Sequence, residues 1–215
     1  MLARLFFLST LLASNPRADV IDRIAVALDN QIITDSEVVL EIRLSAFLNG
    51  DPVDFSPEAR RKAADRLVEQ KLIRREIDLG RYPAPSKDEV AAMLKQIQAQ
   101  RFADPAKYRQ ALEKYGVSEA DVNAYLLWQL TLLRFIDARF RPGVQVSDEE
   151  IRAHFESEQG KGEGTADAGK QPKFEDLRDQ IRETLTNQHI DQLLNDWLAA
   201  ARKRAHIVFH QEAFQ

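Results

Sequence analysis

The sequence predicts a mostly α-helical fold of several helices, with a small β-sheet that joins an N-terminal hairpin to a C-terminal strand. Apolar residues recur at helical spacing from residue 35 to residue 204, and helix-capping signals mark one helix start after another. Segments rich in Val and Ile occur near the two ends, at residues 20–34 and 205–210. A single C-terminal strand needs a partner, so we expect the two ends to meet in one sheet.

The N-terminal hairpin is predicted from residues 20–28 and 31–34, which are separated by a turn-forming Asp-Asn pair. Thr34 and Glu37 have the spacing of a capping box, so the first helix is expected to begin directly after this hairpin. Gly50, in an Asn-Gly-Asp-Pro run, is expected to end that helix.

Further helices follow, each with its own start or stop signal. Two more capping boxes, Ser86 with Glu89 and Ser147 with Glu150, precede apolar-periodic segments. The helix that begins at Ser118 carries apolar residues on more than one face and is expected to be the most buried. The expected helices span residues 57–79, 86–101, 105–116, 118 to a break at 141–143, 148–158 and about 174–204.

Residues 1–18 have the order of a secretory signal peptide. Arg4 precedes a short apolar run at residues 5–13, and small or helix-breaking residues follow it up to Ala18. A run of this length is too short to span a bilayer. We therefore expect export and cleavage after Ala13 or Ala18; the alternative is a buried N-terminal helix.

The rest of the chain is divided by a change of composition at residues 159–172, which are rich in glycine and lack large apolar side chains. This segment is expected to be a flexible linker. It separates a helical domain, residues 19–158, from residues 173–215, a helix and strand that are expected to complete the same core.

Composition argues against several classes of function. The net charge is −4, with 30 basic and 34 acidic residues, so there is no basic excess to attract nucleic acid. The chain has no cysteine, which excludes disulfides, thiol catalysis and cysteine-ligated metals. After residue 18, no apolar stretch approaches the length of a membrane span, so no stable membrane insertion is expected.

No catalytic or metal-binding pattern is found among the polar residues. His206 and His210 lie four apart in a predicted strand, which places them about 13 Å from each other, too far to share a metal ion. His189 is followed two residues later by Asp191, which points elsewhere on a helix, so solvated or packing roles are expected for the histidines, His154 included. We expect no metal site, no cofactor and no enzymatic activity.

The aromatic residues on or near the long helices are the remaining candidates for a functional site. Core packing is the usual role of such residues. The alternative is that some of them line an apolar groove that accepts extended polypeptide. The candidate peptide-binding residues are Phe47, Tyr125, Trp128, Phe135, Phe140 and Trp197.

Four segments together resemble the SurA-type periplasmic chaperones. The segment at 22–38, a hydrophobic strand followed by Ile-Thr-Asp-Ser-Glu-Val, is similar to the start of that family's N-terminal domain. Segments 66–73 and 146–152 are similar to its second helix and to the stretch before its isomerase domain, and 197–207 is similar to its C-terminal helix and strand. The resemblance implies a chaperone core that encloses a peptide-binding crevice.

One departure from that family matters for function. SurA-type chains usually carry one or two parvulin prolyl-isomerase domains where this chain has residues 159–172. A domain of on the order of 90 residues cannot fit in that interval. The resemblance therefore implies a periplasmic holdase for unfolded polypeptides, outer-membrane protein precursors in particular, without isomerase activity. A degenerate prolyl isomerase and an assembly subunit with one fixed partner remain as alternatives.

Overall fold

The computed structural model describes residues 22–102, 104–161 and 173–215. This part of the chain is 75% helical, with seven α-helices and a three-stranded antiparallel sheet, which confirms the predicted mostly-α fold with a small sheet. The elements are β1 (Ile24–Leu28), β2 (Gln31–Thr34), α1 (Asp35–Asn49), α2 (Pro57–Leu79), α3 (Lys87–Arg101), α4 (Pro105–Tyr115), α5 (Glu119–Arg139), α6 (Asp148–Lys161), α7 (Phe174–Arg204) and β3 (Ile207–Phe209).

The predicted meeting of the two chain ends is confirmed by the sheet, whose strand order is β2-β1-β3. Val26, at the centre of β1, pairs with Ile33 on one side and with Phe209 on the other. The turn residue Asp29 has a positive φ of 49°, as a tight hairpin requires. Its backbone N–H donates to the carbonyl of His206 at 2.9 Å, so the hairpin turn is also tied to the C-terminal segment.

Helix boundaries follow the capping residues. All three predicted capping boxes are present, and Ser118 with Asp121 forms a fourth that the sequence analysis did not single out. Gly50 and Gly116 end α1 and α4 with left-handed φ values of 81° and 63°. The predicted boxes pair Thr34 with Glu37, Ser86 with Glu89, and Ser147 with Glu150.

Some expected boundaries differ from the structure. β3 is shorter than predicted because Ala205 caps α7 and His210 precedes a 3₁₀ turn at Gln211–Phe214. Helix α6 continues three residues beyond its expected end, through the first residues of the predicted linker, to Lys161. The remaining linker residues, 162–172, and the predicted signal peptide, residues 1–18, lie outside the described part of the chain.

Three apolar clusters hold the helices together. The first joins the sheet to α1, α2 and the end of α7, and the second joins α1 to α3, α4 and α5. The third contains residues from α2, α5 and α7, with Ile73, Phe135 and Ile190 among them. Helix α1 therefore packs on α2 with part of its surface and on α5 with another part. This arrangement leaves a groove between α2 and α5.

Candidate functional site

The α2–α5 groove consists of two adjoining cavities of about 320 and 160 Å³. Its lining residues on α5 recur every three or four positions from 121 to 132, and those on α2 do so from 66 to 74, so each helix contributes one face. Helix α1 lines one end of the groove through residues 37 to 44. The residues that line both cavities are Glu41, Leu67, Gln70, Tyr125 and Trp128.

An ion pair between a buried carboxylate and a half-exposed arginine lies in the groove. Glu41 is only 8% exposed, and its Oε1 accepts a hydrogen bond from Nε of Arg66 at 2.9 Å. Burial of an ionised carboxylate is costly unless it is paired in this way. Burial also raises the pKa of Tyr125, and the nearby Glu41 carboxylate adds to that effect while Arg66 opposes it. The phenol therefore stays neutral at physiological pH and remains a hydrogen-bond donor.

Trp128 forms the apolar floor of the groove and is 5% exposed. The guanidinium carbon of Arg74 lies 4.3 Å from the centre of its ring, a cation–π distance. Loss of hydration in this position lowers the pKa of Arg74 from its usual value, and the neighbouring Asp78 opposes that shift. An arginine keeps its charge through such a change because its ordinary pKa is far above neutrality.

Apart from the groove, a second cavity of about 510 Å³ lies on another face of α2. It is bounded by the C-terminal half of α2, the end of α7 and the β1–β2 turn. Trp197 lines it, and the highly exposed Leu79 is at its edge. Charged side chains surround it, including Arg75, whose NH1 is 2.9 Å from Oδ2 of Asp29. The α2–α5 groove is the better candidate for apolar ligands because two aromatic side chains and several leucines line it.

The six aromatic residues predicted as a peptide-binding set do not lie in one place. Tyr125 and Trp128 come together in the α2–α5 groove, whereas Trp197 lines the second cavity. The other three, Phe47, Phe135 and Phe140, are buried in the apolar clusters. Unlike Trp128, these three rings line neither the groove nor the second cavity.

The sequence analysis missed the polar residues of the groove. Glu41 could have been noticed because it occurs between Val38 and Ile42 on the apolar face of α1, where a carboxylate is unexpected. No comparable signal marks Arg66 or Arg74, since arginines on long helices are usually solvated. Their position depends on how α2 packs beside α5.

Within residues 22–102, 104–161 and 173–215, no three or more His, Cys, Asp or Glu side chains are grouped so that they could hold a metal ion. Of the helices in those ranges, none has both the length and the apolar character that a membrane span needs.

Comparison with known proteins does not assign the chain to a family. No protein-family model matches the chain, and no curated protein matches it either.

Proposed function

We propose that the protein is a holdase that binds apolar segments of unfolded polypeptide in the α2–α5 groove, without a catalytic step. The observation that carries this proposal is the groove itself, which combines the aromatic floor of Trp128 with Tyr125 and the leucines of α1 and α2. Concave apolar surfaces with a few polar groups are the usual form of ligand sites.

The size of the groove favours short stretches of extended chain. Its α2 wall runs from Arg66 to Arg74, which is about 12 Å along a helix axis. An extended polypeptide covers that distance with three or four residues. So small a contact binds weakly, because association costs several kcal/mol before any surplus appears as affinity. Weak contact suits a holdase, since clients must leave without an energy source.

The cellular setting is proposed from the sequence. The signal-like order of residues 1–18 supports export, and the SurA-type resemblance of the segments at 22–38 and 197–207 supports a periplasmic chaperone. On that basis we propose outer-membrane protein precursors as clients. Since no isomerase domain fits within residues 159–172, we propose that the protein has no prolyl-isomerase activity.

The test fills the groove and leaves the fold intact. Ala124 is exposed on α5 and lines the larger cavity of the groove, so Ala124→Trp places an indole there. Ala138 is exposed on the same helix and lines neither groove cavity, so Ala138→Trp is the matched control. We expect the wild-type protein and the control to suppress aggregation of an unfolded β-barrel protein diluted from urea, and Ala124→Trp to suppress it much less.

Two results oppose the proposal in different ways. Failure of the wild-type protein to suppress aggregation at several-fold excess excludes a holdase. Equal suppression by both tryptophan variants places client binding elsewhere on the molecule. A peptide isomerisation assay on the same protein should give the uncatalysed rate, and faster isomerisation contradicts the absence of isomerase activity. Co-purification of one stoichiometric protein, instead of many clients, indicates a fixed partner.

A further inference from the structure

Two cations line the α2–α5 groove, and they differ in how they are paired. Arg66 donates to the buried carboxylate of Glu41 at 2.9 Å. Arg74, in the part of the chain that the structure describes, has no carboxylate oxygen within the 4.0 Å of an ion pair. Its neighbour Arg75 does have one, on Asp29, but on the other side of α2. Of the two groove cations, Arg74 is therefore the one without an ion pair among the described residues, although Asp78 still acts on its charge from a greater distance.

The geometry of Arg74 leaves its hydrogen-bonding groups available. Its guanidinium carbon lies 4.3 Å from the centre of the Trp128 ring, so the cation is held beside the groove floor. An arginine that contacts an aromatic ring through its guanidinium keeps N–H donors for a planar anion, and a carboxylate can accept two of them. Partial loss of hydration, which lowers the pKa of this residue, means that an anion there displaces less water than it does in bulk solvent.

Asp78, one helical turn further along α2, acts on the charge of Arg74 without forming an ion pair within 4.0 Å. The two other carboxylates that line the larger cavity together with Arg74, apart from Glu41, are those of Asp121 and Glu37, and each is bound by other groups. Oδ2 of Asp121 accepts from the backbone N–H of Ser118 at 2.8 Å as the cap of α5, where the helix dipole favours a negative charge. Glu37 caps α1 through Thr34 and pairs with Lys71 at 3.4 Å. The positive ends of the two helix dipoles and the Lys71 ammonium offset part of the repulsion that these two acids exert on an incoming anion.

We propose that Arg74 is a specificity residue of the groove, which binds a carboxylate of the client and so favours apolar segments that carry an acidic residue. This inference rests on the proposed holdase function. The ligand follows from the chemistry of the two parts of the site. The apolar floor accepts aliphatic or aromatic side chains of the client, and the Arg74 guanidinium beside it accepts the carboxylate of an Asp or Glu.

The experiment is a double-mutant cycle on the full chain. The probes are two short labelled peptides of Leu, Val and Ala with blocked ends, one with a central Asp and the other with Asn. Fluorescence anisotropy gives the Kd of each for the wild-type protein, for Arg74→Gln and for Arg75→Gln. Arg75→Gln is the matched control because it makes the same change one residue away, in the second cavity.

We expect the wild-type protein to bind the Asp peptide about five-fold more tightly than the Asn peptide, a preference typical of a partly exposed ion pair. Arg74→Gln should remove that preference and leave the affinity for the Asn peptide within about two-fold, while Arg75→Gln should keep the preference. Raising the salt concentration from about 0.05 to 0.5 M should reduce the preference in the wild-type protein.

The outcomes separate this inference from the function on which it rests. Equal binding of the two peptides to the wild-type protein overturns the role of Arg74 but supports binding of apolar polypeptide. Retention of the Asp preference in Arg74→Gln also overturns the role of Arg74, because another cation must then bind the Asp side chain. Failure of both peptides to bind the wild-type protein opposes the holdase function itself. Unchanged far-UV circular dichroism in both variants shows that the comparison is made on folded protein.

Discussion

Replacing Phe135 by alanine tests whether this ring is a core residue or part of a ligand surface. Sequence reasoning placed it among the candidate peptide-binding residues, but its side chain is 0% exposed in the structure. Three other aromatic rings surround it in the third apolar cluster. The distances between ring centres are 5.0 Å to Tyr82, 5.8 Å to Phe140 and 5.8 Å to Trp197.

The expected loss of stability can be estimated from these contacts. Truncating a buried Phe to Ala typically lowers the free energy of unfolding by about 3–5 kcal/mol. Aromatic pairs add about 0.5–1.5 kcal/mol each beyond their buried area, so three pairs place Phe135→Ala near the upper end, at about 4–5 kcal/mol. Domains of this kind are stable by about 5–15 kcal/mol, so the alanine variant is expected to be only marginally folded.

Urea unfolding followed by far-UV circular dichroism measures this loss. Phe135→Leu should cost less than about 2 kcal/mol because it keeps most of the apolar volume, and this variant remains folded for binding assays. Leu133→Ala is the matched control: Leu133 lies two residues earlier on α5, is 57% exposed, and should change stability by less than about 0.5 kcal/mol.

Two results would refute the core assignment of Phe135. One is a loss of less than about 1.5 kcal/mol on truncation to alanine, below the usual range for a buried aromatic residue. The other is a Phe135→Leu variant that is as stable as expected but has lost client binding, which would mean that the ring itself contacts the client.

Three further predictions concern the groove, a helix cap and the α6–α7 pair. Glu41→Gln should lower the free energy of unfolding in urea by about 1 kcal/mol, because Arg66 is half-exposed and water can replace part of the lost ion pair. A loss above about 3 kcal/mol contradicts this expectation. Ser118→Ala should cost about 1 kcal/mol by loss of the α5 cap, whereas Ser118→Gly should cost only a few tenths, and equal costs would argue against capping. The hydrogen bond from Arg178 holds the pKa of Asp148 below its ordinary value of 3.8. The contact therefore stabilises the folded state at pH values above 3.8, and this stabilisation is lost as the pH falls through the lower pKa of the folded state. Asp148→Asn should therefore lower the melting temperature at neutral pH and have little effect near the acid end of a pH series, and an equal effect at both ends would contradict that sign.

Much of the fold could be predicted because its boundaries depend on local chemistry. The caps at Thr34 and Ser86 and the αL glycines after α1 and α4 each act within one helical turn, so their effect is readable from neighbouring residues. The end of α6 was predicted too early because a glycine weakens a helix by only about 1 kcal/mol and does not always end it. Composition alone does not decide such a boundary.

The candidate site was predictable only in part. Tyr125 and Trp128 are three residues apart, so they share a face of α5 wherever that helix lies. Whether a face is covered depends on the partner helix, and for Phe135 and Phe140 that partner includes Trp197 of α7, far along the chain. Helix α5 is apolar on more than one side, so its periodicity could not show which face packs into the core and which lines a groove.

The floor of the groove is part of the core. Trp128 lines the groove, and it belongs to the same apolar cluster as Ile73, Phe135 and Ile190, which joins α2, α5 and α7. The groove floor is thus supported from behind by close-packed side chains and has little freedom to rearrange. If the proposed holdase function is correct, a client meets a surface that is already formed, and the cost of ordering the protein on binding is small. The proposed function then predicts an affinity that is weak because the contact area is small and not because of a conformational change, so client binding should be fast and its lifetime should be short.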